Sequence, residues 1–325
     1  LVRMYGEVPL LTSEDSPLNP EVSPVVQIYD QIILDLTDAK DLPKEGGIQQ
    51  GRATSGAATA LLAKVYLRSQ NYELAAQEAL EVINQHPYEL WNEFSDNFRI
   101  ANRGQSESIF AVGFGNGGGA ISFWEVGQFN VRLLPSVLSA EAGVTNAQGW
   151  QYATNDLYES FSGTDERRDA TFITDFVSND GSIINLDRVW IDKYWDRDSE
   201  PNAGDSFQNF PVIRYAEVLL IYSEAQARLG NFEVANRYLN IVRQRAGLAE
   251  TSATNMDNFI DLILEERRRE FVVEGQRWFD LTRLGKLEEA VMEAKGVTVA
   301  DHHYLFPIPQ RERDINPNLP QNRGY

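Results

Sequence analysis

The chain has no cysteine among its 325 residues. That excludes disulfides, thiolate metal sites and a cysteine nucleophile, and it says little about compartment, because oxidising and reducing locations both tolerate the absence. Long apolar runs are missing too: nothing approaches the roughly 18–20 consecutive apolar residues that span a bilayer as a helix. The start, "LVRMYGEVPL", has neither an initiator methionine nor a charged segment ahead of an apolar one, so the sequence reads as a soluble chain that begins inside a longer gene product. Positive charge is scarce. Lys and Arg number 29 against 48 Asp and Glu, a formal net charge of −19, and such a chain repels phosphate backbones over most of its surface. The 3 histidines, His86, His302 and His303, show no metal-binding spacing, and no Ser/His/Asp set has local support. No catalytic residue, metal or cofactor is assigned.

What is present suffices for a packed core, with 42% hydrophobic and 11% aromatic residues. Residues 21–42 carry Val25, Ile28, Ile32, Leu36 and Leu42 near the helical period, which predicts an amphipathic helix. The following block, "SGAATALLAKVYLRSQNYELAAQEALEVINQHP", places small residues at Ala60, Ala63, Ala75 and Ala79, where two helices joined at "SQN" can approach closely. Its Leu62, Ala63, Tyr66, Ala75, Ala79 and Pro87 fall on tetratricopeptide spacing. "LRSQNYELAAQEALEVI" (67–83) aligns at constant offset with "ARLGNFEVANRYLNIVR" (227–243), so two helical hairpins of one design flank a central segment. The expected fold is therefore mostly α: tetratricopeptide-like hairpins form a scaffold (1–90 and 208–325, one overall domain), with a loop-rich mixed α/β insertion at 91–207. The proline-rich tail "HYLFPIPQRERDINPNLPQNRGY" is expected to run extended over the surface.

The stretch "LEERRREFVVEGQRWFDLTRLGK" (264–286) sets three consecutive arginines in this acidic chain. With 257–284 as one helix, Ile260, Leu264, Phe271, Trp278 and Leu281 form a stripe that includes Arg267, and an arginine there must be paired. Partners are available along the helix: Glu266 with Arg269, Arg267 with Glu270, Glu265 with Arg269, and Arg277 with Asp280. A structural ion-pair role for Arg267, Glu270, Arg269 and Glu265 is preferred over an anion or nucleic-acid site, because the local signs nearly cancel.

Four motifs resemble, in order, the SusD/RagB-like nutrient-binding lipoproteins of the Bacteroidetes outer membrane: "LVRMYGEVPLLT", "FPVIRYAEVLLIYSEAQARLGN" with "LNIVRQRAGL", "ILEERRREFVVEGQRWFDLTRLGK", and "LFPIPQRERDINPNLPQNRGY". The resemblance runs through the whole chain and is weakest at 115–150. Arg313 stands where that family usually has an aliphatic residue and Arg323 where it usually has proline, and the upstream region with the lipid-bearing cysteine is missing. The resemblance implies non-catalytic capture of an oligosaccharide or other nutrient at the cell surface and delivery to a TonB-dependent SusC-like outer-membrane transporter. It also implies a surface-exposed lipoprotein that meets the membrane only through a lipid anchor in the missing region. A helical-repeat adaptor for proteins and a glycoside hydrolase of helical fold are the alternatives.

Sugar recognition needs flat aromatic faces with amides and carboxylates nearby. "AISFWEVGQFN" offers Phe123, Trp124, Gln128 and Asn130, and "NAQGWQYATND" offers Gln148, Trp150 and Tyr152. Trp124 and Trp150 come first, since each follows a loop of glycine or small residues. Trp91, Trp190, Tyr194, Trp195 and Trp278 read as packing. The cluster "GFGNGGG" lacks the lysine and hydroxyl of a phosphate loop. Asp196, Asp198, Glu200 and Asn202 repeat the start of a calcium loop, but proline and Phe207 occupy its glycine and glutamate positions.

Overall fold

The computed structural model describes residues 1–45, 51–114, 127–143, 147–198 and 206–325. Its frame is the two hairpins. In the first, Thr54 accepts a hydrogen bond from the Ala57 amide (3.2 Å) to start helix Ser55–Arg68, and Asn71 accepts from the Leu74 amide (3.3 Å) to start helix Tyr72–Gln85. Ala60, Ala63, Ala75 and Ala79 are fully buried between the two. In the second, helices Tyr215–Arg228 and Phe232–Arg245 turn at Gly230, whose φ of 83° suits glycine. Ala225, Ala235 and Leu239 fill this seam.

Helix Tyr72–Gln85 packs on helix Tyr215–Arg228, and helix Met256–Glu270 lays Phe259 and Ile263 against the latter's other side. Eleven of the 14 residues of Tyr215–Arg228 are buried as a result, so this central helix keeps no face free for an adaptor's partner. Helix Val25–Asp38 closes the outer side, burying only Ile28.

The insertion leaves and rejoins this frame through one antiparallel pair, β1 (Ser108–Val112) and β4 (Phe210–Arg214), with Val112 opposite Phe210. Between them a hairpin of β2 (Phe172–Val177) and β3 (Ile183–Ile191) supports two further cores. Trp190, Tyr194 and Trp195 are buried there, while Trp91 and Trp278 are only half-buried.

Two expectations fail. The tail is not extended throughout: it forms a helical turn at Gln310–Ile315, with Pro309 just ahead, where its missing N–H costs nothing. Tail residues also clasp the first ones, with the Phe306 amide donating to Met4 O (2.7 Å) and the Asn322 side chain to Tyr5 O (3.1 Å). Nor is 257–284 one helix: it breaks after Glu270 and resumes at Arg277. Here the buried Lys193 ammonium donates to the carbonyls of Val272 (3.0 Å) and Glu270 (3.4 Å), and the Tyr194 hydroxyl to Val273 O (3.2 Å). Val273 takes φ 53° and Gly275 φ 74° in that turn.

The arginines pair across the fold more than along their helix. Arg267 and Glu270 do not pair with each other. Arg267 Nε donates to Asp280 (2.8 Å), with Glu217 at 3.4 Å, and Asp280 and Glu224 then hold Arg283. Glu270 receives Arg214 (2.9 Å), Arg245 (2.5 Å) and Arg167 (3.0 Å). Arg269 meets Glu266 at 3.4 Å, and Glu265 faces Arg268 (3.5 Å) and Arg277 (3.6 Å), not Arg269. Asp280 pairs with Arg267 and Arg283, not with Arg277.

Candidate functional site

Residues 147–153 are held on both sides. Their amides donate to the neighbouring segment, Gln148 to Val131 O (3.1 Å), Gly149 to Leu134 O (2.8 Å) and Trp150 to Arg132 O (2.8 Å). On the other side Ala153 donates to Val189 O (2.9 Å), and Tyr152 bridges Trp190 at the end of β3. Gly149 is required: its φ is +56°, and a Cβ would lie 2.9 Å from the Trp190 ring. Trp190 is thus the floor, and the next residue, Trp150, is turned outward with 66% of its surface exposed. Tyr152 is 46% exposed and meets the edge of Trp190 at 5.7 Å.

Arg132 organises the polar groups here. Its guanidinium lies over the Trp150 ring (4.5 Å), donates through Nη2 to Gln128 Oε1 (2.7 Å) and donates through Nη1 to Gln148 Oε1. Arg188 lies over Tyr152 (4.3 Å). Trp150, Tyr152, Gln128 and Gln148 are therefore brought together. Asn130 is not part of this surface, because it is buried and its side chain accepts from the following amide of Val131 (2.8 Å). Phe123 and Trp124 lie outside the described residues.

The sequence reading missed Arg132 and Arg188. The one available signal was the four-residue spacing of Gln128 and Arg132; their closure onto Gln148 is made by the fold. Behind Trp150 and Tyr152 opens a cleft of about 650 Å³, walled by Leu157, Val272, Trp278 and Val291 among others. It has the size and apolar lining typical of small-molecule sites.

The calcium-like spacing has other partners. Asp196 is buried and accepts from the Ile100 amide (2.7 Å), and Asp198 faces Arg99 at 3.3 Å. Glu200 and Asn202 lie outside the described residues.

Comparison with known proteins gives the architecture its context. A family model described as the SusD family matches residues 106–325, and a second, described as starch-binding and associating with the outer membrane, matches residues 1–67. SusD-like protein P2 of Formosa agariphila is 30% identical over all of this chain and 71% of its own length. A SusD superfamily protein from Parabacteroides distasonis superposes with a TM-score of 0.87 at 29% identity, covering all of this chain and 75% of that one. A laminarin-binding SusD-like protein gives 0.85 at 28% identity, with the same two coverages. The paired hairpins and the insertion between them are thus the SusD architecture, and the chain belongs to the SusD family.

Proposed function

We propose that the protein captures an oligosaccharide without transforming it, stacking a sugar ring on Trp150 and Tyr152, and passes it to a TonB-dependent transporter at the outer-membrane surface. The single observation that carries this is Trp150: an indole two-thirds exposed, on a backbone fixed at both edges, with amides and a guanidinium beside it. Exposed aromatic faces bind the C–H side of pyranoses, and neighbouring amides serve hydroxyls. A related protein 28% identical binds laminarin, which supports a glycan over another nutrient.

Native affinity electrophoresis against neutral and acidic polysaccharides tests the reading. At least one glycan should retard the protein, and Trp150→Ala and Tyr152→Ala should each weaken binding about tenfold, the loss expected for a stacking contact of about 1–1.5 kcal/mol. Retardation unchanged in both variants would remove the site, and reducing sugar released from any bound polysaccharide would make the protein an enzyme.

A further inference from the structure

The ionisable residues lining the cleft have an unexpected sign, while at the aromatic platform Arg188 is paired with Asp187 (3.3 Å). In a chain with a net charge of −19, the charged side chains lining the cleft behind Trp150 are Arg267, Arg268, Arg277 and Lys295, with no carboxylate among them. Three are committed elsewhere: Arg267 to Asp280 and Glu217, Arg268 to Asp156 and Glu265, and Arg277 to Glu265. Lys295 is exposed and has no ion pair among the described residues.

Arg132 is in the same condition. Its two side-chain partners among the described residues are neutral amide oxygens, so its charge meets no carboxylate there. A guanidinium has five N–H donors, and two are used here, which leaves three for an incoming oxyanion. Two buried donors of cleft residues also lack an acceptor among the described residues, Arg267 Nη1 and Trp278 Nε1. A neutral glycan hydroxyl can satisfy a donor, but only an anion also answers the two uncompensated charges.

Resting on the stacking site above, we propose that the ligand is an acidic oligosaccharide, bearing uronate carboxylates or sulfate esters, whose anionic group sits at Arg132 while its sugar ring stacks on Trp150 and its chain extends toward Lys295. The acidic remainder of the protein then repels the same polymer elsewhere and restricts it to this patch.

Calorimetry on the intact protein decides the matter with paired probes: oligogalacturonate and its carboxyl-reduced form, and carrageenan oligomers and their desulfated form, with laminarin and starch oligomers as neutral references. One acidic probe should bind and lose about tenfold or more when its charge is removed, the pair that responds identifying carboxylate or sulfate. Raising NaCl from 0.05 to 0.5 M should weaken that probe and leave neutral binding unchanged. Arg132→Gln and the exposed Lys295→Gln should each weaken it about threefold to tenfold, with melting temperature recorded for both. Neutral probes binding tighter than their acidic partners, or both variants staying within twofold of the parent, would overturn the charge assignment and leave the stacking site standing. Binding of no probe at all would overturn both.

Discussion

Replacing Glu270 by glutamine tests the claim that the arginines of this chain hold the fold together. Glu270 is fully buried, and its two oxygens accept from Arg214, Arg245 and Arg167. Glutamine keeps the shape, removes the charge and turns an N–H₂ toward groups that are themselves donors. Around it Asp165, Glu107, Glu266, Glu270 and Glu274 face Arg167, Arg214, Arg245, Arg243, Arg269 and Lys193, five carboxylates against six cations. The variant widens that excess of positive charge by one. Breaking one side of a buried pair costs about 3–5 kcal/mol. Each arginine keeps another carboxylate, Glu107 for Arg214 and Arg245 and Asp165 for Arg167, which favours the lower end. About 3 kcal/mol corresponds to a fall in Tm of roughly 6–12 °C at 2–4 °C per kcal/mol. Differential scanning calorimetry at pH 7 measures it, with Glu233→Gln as reference, because its pair with Arg237 is exposed and should be worth less than about 1 kcal/mol. A Glu270→Gln protein melting within 1 °C of the parent would refute the structural role of the network.

Three other outcomes are expected of the buried charges and of Gly149. Burial alone would raise the carboxyls of Glu270, Glu274 and Asp280, yet the cations around them hold all three below their usual range. Between those values and about pH 4.5 the unfolded chain binds more protons, so the urea midpoint should hold steady above pH 5 and fall as pH drops through 4, less steeply in Glu270→Gln. Burial pushes the Lys193 ammonium down to about 8. The unfolded state then binds more protons between about pH 8 and 10.5, so the parent should gain stability relative to Lys193→Met as pH rises from 8 to 10; a constant difference would contradict the assignment. Gly149→Ala forces a left-handed alanine against Trp190 and should cost about 1–3 kcal/mol in urea titration while also weakening glycan binding, because it displaces Trp150.

The hairpins were legible because their signal is local: Asn71 and Asn231 sit at matched positions of the two hairpins, and the alanines beside them fix the close approach of the helices. The ion pairs were legible only as a need. Periodicity says that Arg267 faces inward, but which carboxylate waits there depends on helix adjacency, and Glu217 lies 50 residues away in sequence. The helix break at 271–276 has the same origin, since the carbonyls that open there are claimed by Lys193 and Tyr194 from another part of the chain. At the candidate site, residue inventory singled out Trp150, Tyr152, Gln128 and Gln148, which the fold brings together. Asn130 stays apart because it is buried and its side-chain oxygen accepts from the neighbouring Val131 amide, and Arg132 went unnoticed because its placement comes from a contact with residue 148.

The β1–β4 clasp has a consequence for how such proteins diversify. Because roughly a hundred residues depart and return at neighbouring positions, Val112 opposite Phe210, closing that excursion is a cost that grows only slowly with its length. The excursion is a cassette only in part: one of another length could be exchanged if it brings back Arg167 and Lys193, which hold Glu266, Glu270 and Glu274 of the frame. A 113–209 graft without those two cations should fold less stably than the parent, whatever surface it presents.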